Sequence, residues 1–126
     1  MSPPPLPLVI VIEDDPASRK SLGRVLRLGG FDAAMFASAE EFLGATLEAP
    51  PVGMLLDLQL PGLSGLDLLR RLRAEGSRLP IIVITANTHP GVREEAVRLG
   101  CLAYLQKPCD GRTILTLLRS LETASP

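Results

Sequence analysis

The chain has 126 residues, 46% of them hydrophobic, enough for one domain with a sizeable core. Its 13 basic and 14 acidic residues leave a net charge of -1, which gives no electrostatic reason to expect nucleic acid or an anionic membrane as a direct partner of this segment. No apolar stretch reaches the roughly 20 residues of a membrane helix, and Glu13-Asp14-Asp15 falls where a secretory signal would be apolar, so the chain reads as cytoplasmic.

Residues 1–7, Met-Ser-Pro-Pro-Pro-Leu-Pro, predict an extended lead-in because proline removes the amide donors a helix needs. Leu8-Val9-Ile10-Val11-Ile12 then reads as a buried strand. Asp15-Pro16 supplies an N-cap and a first-turn proline for a helix burying Leu22, Val25 and Leu26, and Gly29-Gly30 stops it. A short strand at about 32–36 leads to Ser38-Ala39-Glu40-Glu41, a capping box for a helix expected to run to Pro50-Pro51. The third strand, about 52–57, is followed by the Pro61-Gly62 turn and a helix from near Ser64 with Leu66, Leu69 and Leu72 on one face.

Strand four, about 80–85, is apolar at almost every position, as a central parallel strand should be. Pro90 opens a helix with Val92, Ala96 and Leu99 inward. Leu102 to Gln106 is less apolar and suits a sheet edge, and Asp110 caps a last helix carrying Ile114, Leu117, Leu118 and Leu121. Thr123 onward reads as a tail or the start of a linker, so residues 8–122 are the expected folded unit. Strand and helix alternating five times over argue for an α/β fold, a parallel sheet covered by helices on both faces.

Cys101 and Cys109 are the only thiols, poor grounds for a disulfide framework in a chain with its own core. The single histidine, His89, and the lack of a Cys-x-x-Cys pair argue against structural zinc. The informative residues stand at strand ends: Glu13 and Asp14 after the first strand, Asp57 after the third, Thr85 after the fourth and Lys107 after the fifth. In an open α/β sheet, that carboxyl edge is where ligands bind. Crowded carboxylates raise one another's pKa unless a cation joins them. Each residue taken singly also has an ordinary structural reading, as a turn cap, strand-end hydroxyl or solvated charge.

Ile12-Glu13-Asp14-Asp15, Leu56-Asp57-Leu58-Gln59-Leu60-Pro61-Gly62-x-x-Gly65, Ile84-Thr85-Ala86 and Tyr104-Leu105-Gln106-Lys107-Pro108 resemble, in order, the signature blocks of receiver domains of two-component response regulators, the CheY-like superfamily. Phe36 to Leu43 further resembles the FixJ-type subgroup. The resemblance implies a doubly wound (βα)5 sheet of strand order 2-1-3-4-5. It makes Asp57 the acceptor of a phosphoryl group from a phosphohistidine on a sensor histidine kinase or phosphotransfer protein. It implies Mg²⁺, for which Mn²⁺ can substitute, held by Glu13, Asp14, Asp57 and the backbone carbonyl of Gln59.

Thr85 and Lys107 are then expected to contact the phosphoryl oxygens, Thr85 and Tyr104 to form the switch, and Gln59 and Asn87 to set the phosphoryl lifetime. The implied output face is the fourth helix, fifth strand and fifth helix, roughly residues 90–122, used for a phosphorylation-dependent homodimer. The family commonly has a cis proline at the position of Pro108, against the general trans expectation. Glu13 stands where Asp is frequent, Leu60 where Met is common and Cys109 where Phe is common. The rival readings are an interaction module that keeps the fold without the switch, an aspartyl-phosphate phosphatase, and the regulatory half of a transcription factor or hybrid kinase. The second is opposed by Gln59, where a general acid would be needed.

Overall fold

A strand with apolar side chains on both of its faces needs cover on both. The computed structural model describes residues 3–86 and 89–123, and their side chains up to Leu121. In it β1 (Leu8–Ile12) lies between β2 (Asp32–Phe36) and β3 (Pro51–Leu56), parallel to both. Ile12 pairs with Phe36 on one side and Leu56 on the other, so the three strands finish level. β4 (Ile81–Thr85) pairs with β3, and β5 (Ala103–Gln106) with β4, giving the expected order 2-1-3-4-5.

Alternation along the strands sorts the side chains into two cores. Val9, Val11, Leu55, Ile82 and Ile84 pack with Leu26 of α1 (Pro16–Leu28) and with Ile114 and Leu118 of α5 (Gly111–Thr123). Ile10, Ile12, Met54, Leu56, Ile81 and Val83 face the other way. They meet Ala39 of α2 (Ala39–Leu43), Leu68, Leu69 and Leu72 of α3 (Gly65–Ala74) and Ala96 of α4 (Pro90–Arg98). Each fully buried large aliphatic side chain contributes about 1.5–3 kcal/mol, whereas an exposed pair such as Arg71–Glu75 contributes at most about 1 kcal/mol. The two cores therefore hold the fold. β5 lies at an edge with its residues only half-buried or exposed, as its weaker apolar run predicts.

The capping residues act as the sequence indicates. Asp15 Oδ2 accepts from Ser18 N at 2.9 Å, Ser38 Oγ from Glu41 N at 3.1 Å and Asp110 Oδ1 from Arg112 N at 2.9 Å. Three details differ from expectation. α2 ends at Leu43 instead of reaching Pro50: the amides of Gly44 and Ala45 bond Glu40 O and Phe42 O, closing the last turn. On α1 the fully buried positions are Gly23 and Leu26, with Leu22 and Val25 half-buried, because a Cβ at Gly23 would come within 2.7 Å of Met35 Sδ on β2. On α3 Leu68 is buried while Leu66 is half-covered. Among the described residues no helix is long and apolar enough to cross a membrane.

Candidate functional site

β1 and β3 are neighbours, but the chain leaves them for opposite faces of the sheet, and a crevice opens beyond their carboxyl ends. Glu13 is the first residue past β1. Its N–H donates to Phe36 O at 3.0 Å, and the residue is 1% exposed. Asp57 is the first residue past β3, its N–H donating to Ile12 O at 3.1 Å, and it is 5% exposed. Asp14 is exposed. Carboxylate oxygens of Glu13, Asp14 and Asp57 lie within 4.8 Å of one another, a grouping able to hold a metal ion.

The buried carboxylates are individually satisfied. Asp57 Oδ1 accepts from Gln59 N at 2.9 Å, which bends the chain tightly after the strand. Asp57 Oδ2 accepts from Lys107 Nζ at 2.8 Å, and the same ammonium donates to Glu13 Oε1. Glu13 Oε2 accepts from Asp15 N at 3.2 Å. Burial raises the Glu13 pKa above the usual carboxylate range, against the opposing pull of the Lys107 hydrogen bond. Partial burial disfavours the Lys107 charge, yet the hydrogen bonds to Asp57 and Glu13 outweigh it and hold the Lys107 pKa above normal.

The Lys107 N–H donates to Thr85 O at 2.9 Å, continuing the β4–β5 pairing and setting Lys107 at the carboxyl edge, and the Lys107-Pro108 bond is cis. Thr85 is fully buried at the end of β4. Tyr104 sits on β5 opposite Val83, half-buried, with the Arg93 guanidinium of α4 5.9 Å from its ring centre. The structure thus gathers the Glu13, Asp14 and Asp57 carboxylates with Lys107, while Gln59 joins through its N–H to Asp57 and Thr85 through its carbonyl to the Lys107 N–H, with Tyr104 on β5. Asn87 lies outside the described residues. Cys101 and Cys109 are free thiols, both pushed up in pKa by burial.

Two contributors were not legible as such. Arg19 Nη1 donates to the carbonyls of Glu13 at 2.8 Å and Asp14 at 3.4 Å, reaching back from the first turns of α1. Gly65 was visible in the motif, but its role was not: a Cβ there would stand 2.6 Å from Leu58 Cα. An arginine shortly after a helix-opening proline is the only trace the first leaves in the sequence.

Residues 9–119 match the response regulator receiver domain family. The chain belongs to that family, and so is the receiver domain of a response regulator in a two-component system. Over 112 residues it is 36% identical to the transcriptional regulatory protein FixJ of Azorhizobium caulinodans, covering 89% of this chain and 53% of FixJ. It is also 36% identical to the DNA-binding response regulator MtrA of Mycolicibacterium smegmatis, covering 89% of this chain and 49% of MtrA. The chain thus spans about half the length of these curated relatives. A sensor protein from Polaromonas sp. JS666 superposes with a TM-score of 0.83 at 34% identity, covering 96% of this chain and all (100%) of that one.

Proposed function

We propose that Asp57 accepts a phosphoryl group from a phosphohistidine on a sensor histidine kinase or phosphotransfer protein, the partners with which receiver domains work. One Asp57 carboxylate oxygen attacks phosphorus, the P–N bond breaks, and the imidazole leaves with the bonding pair and takes up a proton. The observation that carries this reading is the convergence of Glu13, Asp14 and Asp57 under the Lys107 ammonium. An anionic nucleophile approaching an anionic phosphoryl group needs its repulsion offset, and the crevice is built to do that.

The donor set, the carboxylates of Glu13, Asp14 and Asp57, fits Mg²⁺, a hard cation that takes few carboxylates and keeps several waters, and by the family resemblance the backbone carbonyl of Gln59 would join them. Bound there, Mg²⁺ supplies positive charge to the phosphoryl oxygens. Mn²⁺, with the same taste for oxygen ligands, can substitute. Lys107 already bonds Asp57 and is poised to transfer its hydrogen bond to a phosphoryl oxygen once Asp57 is phosphorylated. Thr85 supplies a hydroxyl to another phosphoryl oxygen, and Tyr104 follows Thr85 as the switch. By the resemblance to the family, Gln59 and Asn87 set the phosphoryl lifetime, so exchanging both is expected to change the dephosphorylation rate.

The protein is on this reading a phosphoacceptor switch formed by residues 8–122, not a turnover enzyme. α4, β5 and α5 form the output face and the contact of a phosphorylated homodimer, and the relatives' functions suggest transcription control as the output. Sedimentation with and without a phosphoryl mimic checks the dimer. Incubation with Mg²⁺ and acetyl phosphate checks the chemistry: wild type gains the mass of one phosphoryl group, and neither Asp57→Asn nor an EDTA-treated sample does. Labelling that persists in Asp57→Asn moves the acceptor elsewhere.

A further inference from the structure

Arg19 takes no part in the chemistry above, yet it is tied to the two residues whose carboxylates must converge. Its Nη1 donates to the carbonyl oxygens of Glu13 at 2.8 Å and Asp14 at 3.4 Å. The arginine is half-buried and rides on α1, whose start is anchored by the Asp15 cap on Ser18 N. One guanidinium nitrogen thus fixes two successive peptide units of the β1–α1 turn to a rigid helix. Glu13 has further anchors in Lys107 and in the Asp15 amide. Asp14 is exposed, so the direction of its side chain follows its backbone.

We propose that Arg19 is a positioning residue for a divalent ion: by holding both carbonyls it sets the turn so that the Glu13 and Asp14 carboxylates face Asp57. The inference rests on reading the carboxylate cluster as a Mg²⁺ site. It makes a prediction of sign. Judged by charge alone, a guanidinium beside the site repels a cation, and removing it should tighten metal binding. Judged by geometry, removing it releases two carbonyls and lets the carboxylates diverge, and metal binding should weaken.

Mn²⁺ binding to the full chain, followed by the EPR signal of the free ion, separates the two without recourse to phosphorylation. Thermal unfolding in EDTA reports folding in parallel. Arg19→Ala is expected to weaken Mn²⁺ binding by about tenfold, the lower end of what loss of an outer partner of a metal ligand costs. Arg19→Lys, which keeps the charge and can reach one carbonyl, should recover part of the loss. Unchanged or tighter binding in folded Arg19→Ala overturns the proposal. If that variant fails to fold, Arg19→Gln decides by the same criterion. A wild-type chain that binds no Mn²⁺ fails the metal reading itself, a result distinct from a wild type that binds and an Arg19→Ala that binds equally well.

Discussion

The backbone of Asp57 fills the space that a side chain on Gly65 would need: a Cβ there would stand 2.9 Å from the Asp57 carbonyl carbon and 2.6 Å from Leu58 Cα. Gly65 opens α3, and its N–H donates to Leu58 O at 3.1 Å, so the helix start is pressed directly against the turn that carries Asp57. The obstructing atoms are backbone and cannot rotate away. Gly65→Ala is therefore expected to destabilise the fold by about 1–3 kcal/mol, the range for forcing an extra carbon into a packed site. Urea unfolding measures it, and a variant as stable as wild type would show that α3 shifts without strain.

Lys107 neutralises Glu13 and Asp57 when no other cation does so. Lys107→Met leaves two buried carboxylates facing each other and is expected to lower the melting temperature in EDTA. A cation that enters the vacated space restores the balance and binds only the folded state, so Mg²⁺ should raise the melting temperature of Lys107→Met more than that of wild type. Equal shifts in the two proteins would mean that the ammonium and the ion do not share those oxygens.

Glu40 carries a pH signature. Its carboxylate accepts from Leu63 N at 3.0 Å, linking the start of α2 to the loop before α3, and that bond lowers the Glu40 pKa below its ordinary value of 4.5. A carboxyl depressed in the folded state stabilises fully above its unfolded pKa and loses that contribution as pH falls through the folded value. The stability difference between wild type and Glu40→Ala should be constant near neutrality and shrink only below about pH 4.5, the ordinary Glu40 value. Denaturant titrations at stepped pH test this, and a difference that grows in acid would contradict it.

Arg73 spends its guanidinium on four carbonyls. Nε bonds Leu99 O at 2.8 Å, Nη1 bonds Ser77 O at 3.0 Å and Leu79 O at 2.9 Å, and Nη2 bonds Gly100 O at 3.2 Å. It fastens the end of α3 to the loop before β4 and to the end of α4. A hydrogen bond to a charged group contributes about 1.5–3 kcal/mol, and orphaned carbonyls cost more than the bond itself. Arg73→Ala is expected to lose about 3 kcal/mol, and Arg73→Lys to recover little because an ammonium lacks the planar fork. Chemical denaturation of both variants checks the order.

Much of this was readable in the chain because the signals are local. Glu13, Asp57, Thr85 and Lys107 each sit at the end of an apolar run, and a parallel sheet must deliver all such ends to one edge. Caps at Asp15, Ser38 and Asp110 are set by hydrogen bonds spanning two or three residues, so sequence position alone identifies them. The length of α2 was misread because prolines at 50 and 51 mark where a helix must stop, whereas Gly44 and the turn at Ala45 stop it sooner.

What the sequence determined by itself was the order of strands and helices and the sheet edge at which the carboxylates gather, because periodicity and capping act over a few residues. Only the tertiary structure decided that Lys107 bridges Glu13 and Asp57, that Arg19 grips the turn between β1 and α1, that Gly23 lets α1 approach Met35 and that Gly65 admits the backbone of Asp57. Those relations join groups brought within a few ångströms by packing, and residue spacing along a chain carries no record of such distances.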